Sequence, residues 1–204
     1  MIREKETAKG GQNMLSQEEV LEVFSRTGVL LEGHFRLTSG LHAAKYLQCA
    51  KLLQYPQEAA PLCEQLASYF KDAGATVVAG PATGGIILAY EVARALGVRN
   101  IFGERENGVM TFRRGFQLSP EDKVLVLEDV VTPGGSVKEL IEAVKKAGAT
   151  VVGVASLVNR SGGKADFGVP FQSLVYLDIQ TYQPEDCPMC KAGSEAIKPG
   201  SRQL

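Results

Sequence analysis

The chain predicts an α/β fold, a parallel sheet flanked by helices, and three observations carry that expectation. From residue 76 onward, short apolar runs alternate with amphipathic stretches in the order strand, helix, strand. Val124 to Leu127 is a continuous aliphatic run, as expected of a strand covered on both faces. Ser136 to Ala147 places Val137, Leu140, Ile141 and Val144 at helical spacing, directly after that run. The 204 residues, 45% hydrophobic and 22% charged, suit one domain with a core of its own and exclude wholesale disorder.

The elements follow in order. Ser16 with Glu18 and Glu19 marks a helix start, and Val20, Leu21, Val23 and Phe24 form its apolar stripe as far as about Gly28. Residues 29–55 read as short strands and turns, with a turn at Thr38-Ser39-Gly40. Pro56 to Ala73 reads as a second helix closed by Gly74, with Ala60, Leu62, Cys63, Leu66 and Phe70 inward. Thr76 to Ala79 is a short strand, Gly84 to Leu96 a helix ended by Gly97, and Arg99 to Gly103 another strand. After the Val124 strand and its helix come the strands Val151 to Val158 and Phe171 to Leu177. Ligands of such sheets sit beyond the carboxyl ends of strands, which directs attention to residues 80–85, 104–115, 128–136 and 159–164.

Composition narrows the function classes. Lys plus Arg total 22 and Asp plus Glu 23, a formal charge of -1, without the basic excess that duplex nucleic acid or an anionic membrane requires. The apolar stretch Thr76 to Tyr90 is broken by Gly80, Pro81, Gly84 and Gly85, so no membrane span is expected. Met1 to Asn13 is charged and aperiodic; it reads as a loose tail and not as a secretory signal. Four cysteines without an export signal point to reduced thiols in a cytoplasmic protein.

The strongest local signal is VLVLEDVVTPGGS, Val124 to Ser136. A buried strand delivers Glu128 and Asp129 at its carboxyl edge, and Thr132-Pro133-Gly134-Gly135-Ser136 then opens a helix. Carboxylates accept protons from sugar hydroxyls or hold Mg²⁺ directly or through water. The Gly-Gly turn, the unpaired N–H groups of the following helix and the Thr132 and Ser136 hydroxyls suit a phosphate. Together they describe a cradle for ribose 5-phosphate. Neither GxxxxGK[ST] nor GxGxxG occurs, which removes the usual support for ATP or dinucleotide binding.

This run resembles the phosphoribosyl-diphosphate-binding motif of the type I phosphoribosyltransferases. Further segments make the chain similar to the orotate branch of that family over about residues 15–204: GHFRLTSGLHAAKYLQ at 33–48, GPATGGIILAYEVARALG at 80–97, ERENGVMTFRRGF at 104–116, Asn159-Arg160 and CPMCKAGSEAIKPGSR at 187–202. The resemblance implies a type I phosphoribosyltransferase-like sheet with a small hood. The expected division is a tail at 1–13, a hood from 14–55 and 181–204, and a core at 56–180.

It also implies an activity: Mg²⁺-dependent transfer of ribose 5-phosphate from phosphoribosyl diphosphate to orotate, giving orotidine 5′-phosphate and diphosphate in pyrimidine synthesis. Glu128, Asp129, Val130, Val131, Thr132, Pro133, Gly134, Gly135 and Ser136 would hold the phosphoribosyl group, with Glu128, Asp129 and Arg105 as catalytic residues. Thr132 and Arg160 would hold orotate, Arg160 by the two-pronged grip of a guanidinium on a carboxylate. No protein ligand would bind Mg²⁺ directly; diphosphate, ribose and water would hold it. Gly80 to Gly85 would supply backbone donors to the diphosphate. Residues 104–115 read as a mobile flap around the Asn107-Gly108 turn, shared across a homodimer and closing over a neighbouring subunit's diphosphate.

Three features depart from the family pattern. Gly84 stands where many relatives carry Lys, the flap has neither Lys nor His, and Pro133 stands where Thr is usual. Arg113 and Arg114 can offset charge in the flap, but an Arg cannot act as a general acid near neutrality. Cys187-Pro-Met-Cys190 is a single CxxC without a neighbouring His in the sequence, and a structural or packing role is expected. His34 and His42 are expected to be loop or core histidines, and Phe35 to pack in the hood or stack near substrate.

Overall fold

A computed structural model describes residues 14–37 and 39–199. The tail at 1–13, Thr38 of the expected turn and residues 200–204 lie outside the described residues.

The first helix, α1 (Gln17–Arg26), starts on a complete capping box: Ser16 Oγ accepts from Glu19 N–H and the Glu19 carboxylate accepts from Ser16 N–H. Strands β1 (Leu30–Arg36) and β2 (His42–Leu47) pair antiparallel. One helical turn, α2 (Ala50–Leu53), follows where strands and turns were expected, because it buries Leu52 and Leu53 against the core. Helix α3 (Pro56–Ser68) ends five residues before the expected Ala73; residues 69–74 run on as turns to the left-handed Gly74.

The larger sheet uses β3 (Val77–Pro81), α4 (Gly84–Leu96), β4 (Arg99–Glu106), β5 (Val109–Phe112), β6 (Lys123–Val131), α5 (Gly135–Lys146), β7 (Thr150–Asn159) and β8 (Phe171–Tyr176). Its order is β5-β4-β3-β6-β7-β8. All neighbours are parallel except β5, which returns antiparallel on β4. The hairpin follows from Asn107 (φ 51°) and Gly108 (φ 81°), two left-handed residues of the kind a two-residue hairpin turn requires. Strand β4 therefore runs three residues past Gly103, and the expected flap is in this structure the edge hairpin of the sheet.

Period-two alternation divides the core. Val78, Leu125, Leu127, Ala155 and Leu157 face the side covered by α1, α3 and α4. Val77, Ala79, Val124, Val126 and Val154 face the other side, under α5, which presents Val137, Leu140, Ile141 and Val144. Truncating a fully buried leucine such as Leu140 to Ala costs about 2–5 kcal/mol by the usual cavity argument.

The chain ends in a second, smaller sheet. Strand β9 (Thr181–Tyr182) pairs with β2, giving the order β1-β2-β9. Residues beyond it form one helical turn, α6 (Pro188–Lys191), and Ile197 bridges back to Phe35 of β1. Neither β9 nor α6 was expected from sequence; each is too short to show a period.

Candidate active site

Strand order places the site. From β3 the chain crosses through α4 to β4 on one side, and from β6 through α5 to β7 on the other. The connections therefore part between β3 and β6, where open α/β sheets form a ligand crevice. Pairing of β3 with β6 stops at Ala79–Val126, so beyond that point β6 has no neighbour on its β3 side. Glu128 to Val131 lie on this unpaired stretch. They are strand, four residues more than the Val124–Leu127 run suggested, because β7 pairs as far as Val131–Asn159.

Two helix starts flank the stretch. In α5 the first intrahelical bond runs from Lys138 N–H to Gly134 C=O at 3.0 Å, which leaves the preceding N–H groups of Gly135, Ser136 and Val137 free of helical partners. Gly134 has φ 81°, and a Cβ there would stand 2.8 Å from the Phe167 ring, so glycine is required twice over. Thr132 and Pro133 are exposed, and Pro133 offers no N–H. Across the crevice, a Cβ on Gly84 at the start of α4 would stand 2.5 Å from Asp129 Oδ2. The missing side chain at Gly84 thus makes room for the Asp129 carboxylate beside a helix N-terminus, where negative charge is favoured.

The two acids meet. Glu128 Oε1 accepts from Asp129 N–H at 3.0 Å, and Asp129 Oδ1 accepts from Val130 N–H at 2.8 Å. Burial pushes the Glu128 carboxyl well above the usual carboxylate range, the adjacent Asp129 charge adds to this, and Arg105 opposes it. A Glu128 that burial drives to keep its proton, set beside Asp129, suits a ligand that brings hydroxyl donors or a cation.

Arg105 on β4 donates from Nε to Glu139 Oε2 at 2.8 Å and from Nη2 to Ser136 Oγ at 3.4 Å. It therefore stands beside the turn that opens α5. Arg113 and Arg114 are tied to the hairpin's own acids: Arg114 to Glu104 at 3.1 Å and Arg113 to Glu106 at 3.2 Å, with Arg114 also over the Phe102 ring. Arg160 follows β7, with its N–H on Val131 C=O at 2.7 Å. Its Nε is buried with no hydrogen-bond partner among the described residues, and burial loosens its hold on its proton. A donor held this way lacks an acceptor such as a carboxylate.

Sequence reasoning missed Tyr46. This β2 side chain lies close enough to Asp129 and Arg160 for both to act on its hydroxyl, which burial and the Asp129 charge push up. Phe35 is buried and packs on Tyr46 at 5.8 Å between ring centroids, which favours its packing role. Sequence reasoning also set His34 and His42 apart from the CxxC pair. They are not apart: one ligand atom from each of His34, His42, Cys187 and Cys190 falls within 4.8 Å of every other. With β1 and β9 both paired to β2, the first and last parts of the chain meet in one sheet, and no local pattern announces that meeting. A groove of about 920 Å³ between the hairpin and α5 is lined by flap residues but by none of Arg105, Glu128 to Ser136 and Arg160.

A crevice at the reversal of a parallel sheet, with paired acids on one strand and a Gly-Gly helix start beside them, suits a sugar phosphate, and similarity to known proteins places the chain among the phosphoribosyltransferases. The family model described as phosphoribosyl transferase domain matches residues 50–167. The orotate phosphoribosyltransferase of Desulforamulus reducens is 54% identical over 190 residues, 93% of this chain and 100% of that protein. That of Thermotoga maritima is 56% identical over 185 residues, 91% and 99%. The crystal structure of orotate phosphoribosyltransferase from Aeropyrum pernix aligns with TM-score 0.64 and 27% identity, covering 78% of this chain and 93% of that one. The chain belongs to the orotate phosphoribosyltransferase family.

Proposed function

We propose that this enzyme moves ribose 5-phosphate from 5-phosphoribosyl 1-diphosphate to N1 of orotate, releasing orotidine 5′-phosphate and diphosphate in pyrimidine biosynthesis. The observation that carries the residue assignment is the buried, unpartnered Nε of Arg160 beside the acid-bearing strand, a donor suited to the carboxylate that distinguishes orotate from uracil.

As the diphosphate leaves, the anomeric carbon gains positive charge, and catalysis consists of positioning and charge stabilisation. Asp129 and Glu128 take the ribose hydroxyls. The turn from Thr132 to Ser136, with the free N–H groups of α5, takes the 5′-phosphate, and Val130 and Val131 set its distance from the acids. Thr132 and Arg160 orient orotate. Arg105, already 3.4 Å from Ser136 Oγ, adds positive charge beside the phosphate turn. The start of α4 at Gly84 faces the diphosphate.

The hard oxygens of Glu128 and Asp129 fit Mg²⁺ held through water, and Mg²⁺ bound with the diphosphate supplies neutralisation of the departing oxygens. A homodimer with shared hairpin residues belongs to the same proposal, supported by Ile87 and Tyr90, exposed apolar side chains one turn apart on α4. The chain division into a hood at 14–55 and 181–204 and a core at 56–180 is supported by the separate β1-β2-β9 sheet. The -1 charge gives no support to a nucleic-acid partner, and no described helix is long and apolar enough to cross a membrane. A cytoplasmic location fits the free thiols.

The test is loss of orotate ultraviolet absorbance with phosphoribosyl diphosphate, with and without Mg²⁺. Magnesium-dependent loss matched by diphosphate release is expected. Folded protein that consumes phosphoribosyl diphosphate only with another base would overturn the acceptor assignment.

A further inference from the structure

In the small sheet, two imidazoles and two thiols point at one spot. We propose that His34, His42, Cys187 and Cys190 form a tetrahedral site for a soft divalent cation of the zinc class, clasping the C-terminal segment to β1 and β2.

The distances carry it. Around tetrahedral zinc, with Zn–N about 2.0–2.1 Å and Zn–S about 2.3 Å, nitrogen and sulfur ligands stand about 3.6 Å apart. Here Cys187 Sγ is 3.5 Å from His34 Nε2, Cys190 Sγ is 3.7 Å from the same nitrogen, and Cys190 Sγ is 3.3 Å from His42 Nδ1. The two nitrogens are 2.9 Å apart, short of the about 3.3 Å between two nitrogens on tetrahedral zinc, so the imidazoles part slightly on binding. Both thiols are free, so no disulfide accounts for the convergence.

One hydrogen bond between the imidazoles does not account for the two thiols gathered on the same nitrogens. His34 Nε2 faces three partners and has, in a neutral imidazole, either one proton or one lone pair for them. The opposite nitrogen already has its own: Nδ1 lies 2.8 Å from Ser194 Oγ and 3.1 Å from Ser194 C=O. With Nδ1–H donating to Ser194, Nε2 keeps its lone pair directed at the cluster, the tautomer and support a metal-bound histidine shows. Three of the four ligands are enclosed: Cys187 is fully buried and the histidines are 8% and 6% exposed, while Cys190 is half-buried.

Local structure delivers the ligands. His42 pairs with Tyr182 of β9, and the chain from β9 leads straight to Cys187. Cys187 caps the start of α6, Cys190 lies one turn on, and left-handed Gly193 ends the turn, with its N–H on Cys190 C=O at 2.9 Å. One turn therefore brings both thiols to the same side. On binding, each thiol releases its proton to solvent and both imidazoles stay neutral, so two thiolates cancel the cation's charge and leave no net buried charge. Thiolate and imidazole select zinc-class ions over Mg²⁺, which prefers oxygen, so this site is chemically separate from the crevice.

The test uses the full-length protein, stripped with a chelator and titrated with Co²⁺. One cobalt per chain is expected, with thiolate-to-cobalt charge transfer in the near ultraviolet and the intense visible bands of a tetrahedral ion, both erased by Zn²⁺. Cys190→Ser should lose charge-transfer intensity and weaken binding by more than about 100-fold, since even outer partners of a metal site are worth about 10–100-fold. Should that variant not fold, thiol reactivity of the wild type decides: Zn²⁺ should protect Cys187 and Cys190, and the chelator should release them to a thiol reagent. Absence of stoichiometric cobalt, a bound cobalt without thiolate charge transfer, or thiols indifferent to Zn²⁺ would each overturn the site.

Discussion

The crevice and the small sheet are built in opposite ways. Glu128 to Ser136 is one unbroken segment, a strand, a turn and a helix start that carry acids and free N–H groups together. The His/Cys cluster draws on residues as far apart as His34 and Cys190, a separation of 156 positions. Phosphate is held largely by backbone, and backbone donors at a helix start come only from consecutive residues. A soft cation is held by side chains, which any two elements that touch can supply. The crevice holds its charge in tension, with burial driving Glu128 to keep its proton, whereas the cluster needs only a cation to satisfy it.

The sharpest way to break the comparison is Asp129→Asn. If the crevice is catalytic machinery and not scaffold, turnover should fall by about 10²–10³, the usual scale for removing one electrostatic contact from a transition state, while circular dichroism and thermal midpoint stay unchanged. Near-normal turnover would remove the acid pair from the mechanism. Arg160→Ala should come next, raising the orotate KM by about 10- to 100-fold, as loss of a charged hydrogen bond does, with far less change for phosphoribosyl diphosphate. Equal shifts in both would separate Arg160 from the carboxylate.

The cluster should respond in the other currency. Stripping its cation should lower the thermal midpoint by several degrees, as about 1–2 kcal/mol does in a domain of this size, and restoring Zn²⁺ should reverse it. A midpoint that ignores both would reduce the clasp to a packing contact.

The smallest effect concerns stability at the crevice. Glu128 keeps its proton to higher pH in the fold than in the unfolded chain. Above the ordinary glutamate pKa of about 4.3, the folded state therefore binds more protons than the unfolded one, and this group's contribution to stability falls as pH rises. Glu128→Gln should accordingly stabilise the free enzyme near neutrality by about 1 kcal/mol and flatten the decline in denaturant midpoint from acid to neutral pH. A variant less stable than the wild type at neutral pH would show that the acid pair is not in tension.

How much of this was legible in the sequence follows from the same contrast. The alternation from residue 76 gave the parallel sheet, and helix Gly84 to Leu96 appears with the expected bounds because Gly97 ends it in the left-handed conformation. The acid-bearing strand and the Gly-Gly start of α5 were readable because strands and helix starts leave local marks, whereas the role expected of Arg160 came from the resemblance. The extent of β6 was not, since Glu128 and Asp129 look like a strand's end until β7 pairs alongside them. Tyr46 was missed because its nearness to Asp129 and Arg160 is created by the second sheet folding back. The cluster was missed for the same reason, with a CxxC at one end of the chain and His-x₇-His at the other.

The most direct measurement is diphosphate release from phosphoribosyl diphosphate with Mg²⁺ and, in separate reactions, orotate, uracil or adenine as acceptor. Release with orotate alone, reduced in Arg160→Ala and reduced by about 10²–10³ in Asp129→Asn, is the result that the proposed crevice chemistry and Arg160 clamp require. Release with uracil as fast as with orotate, or undiminished in Arg160→Ala, would contradict both the acceptor and the residue chosen to recognise it.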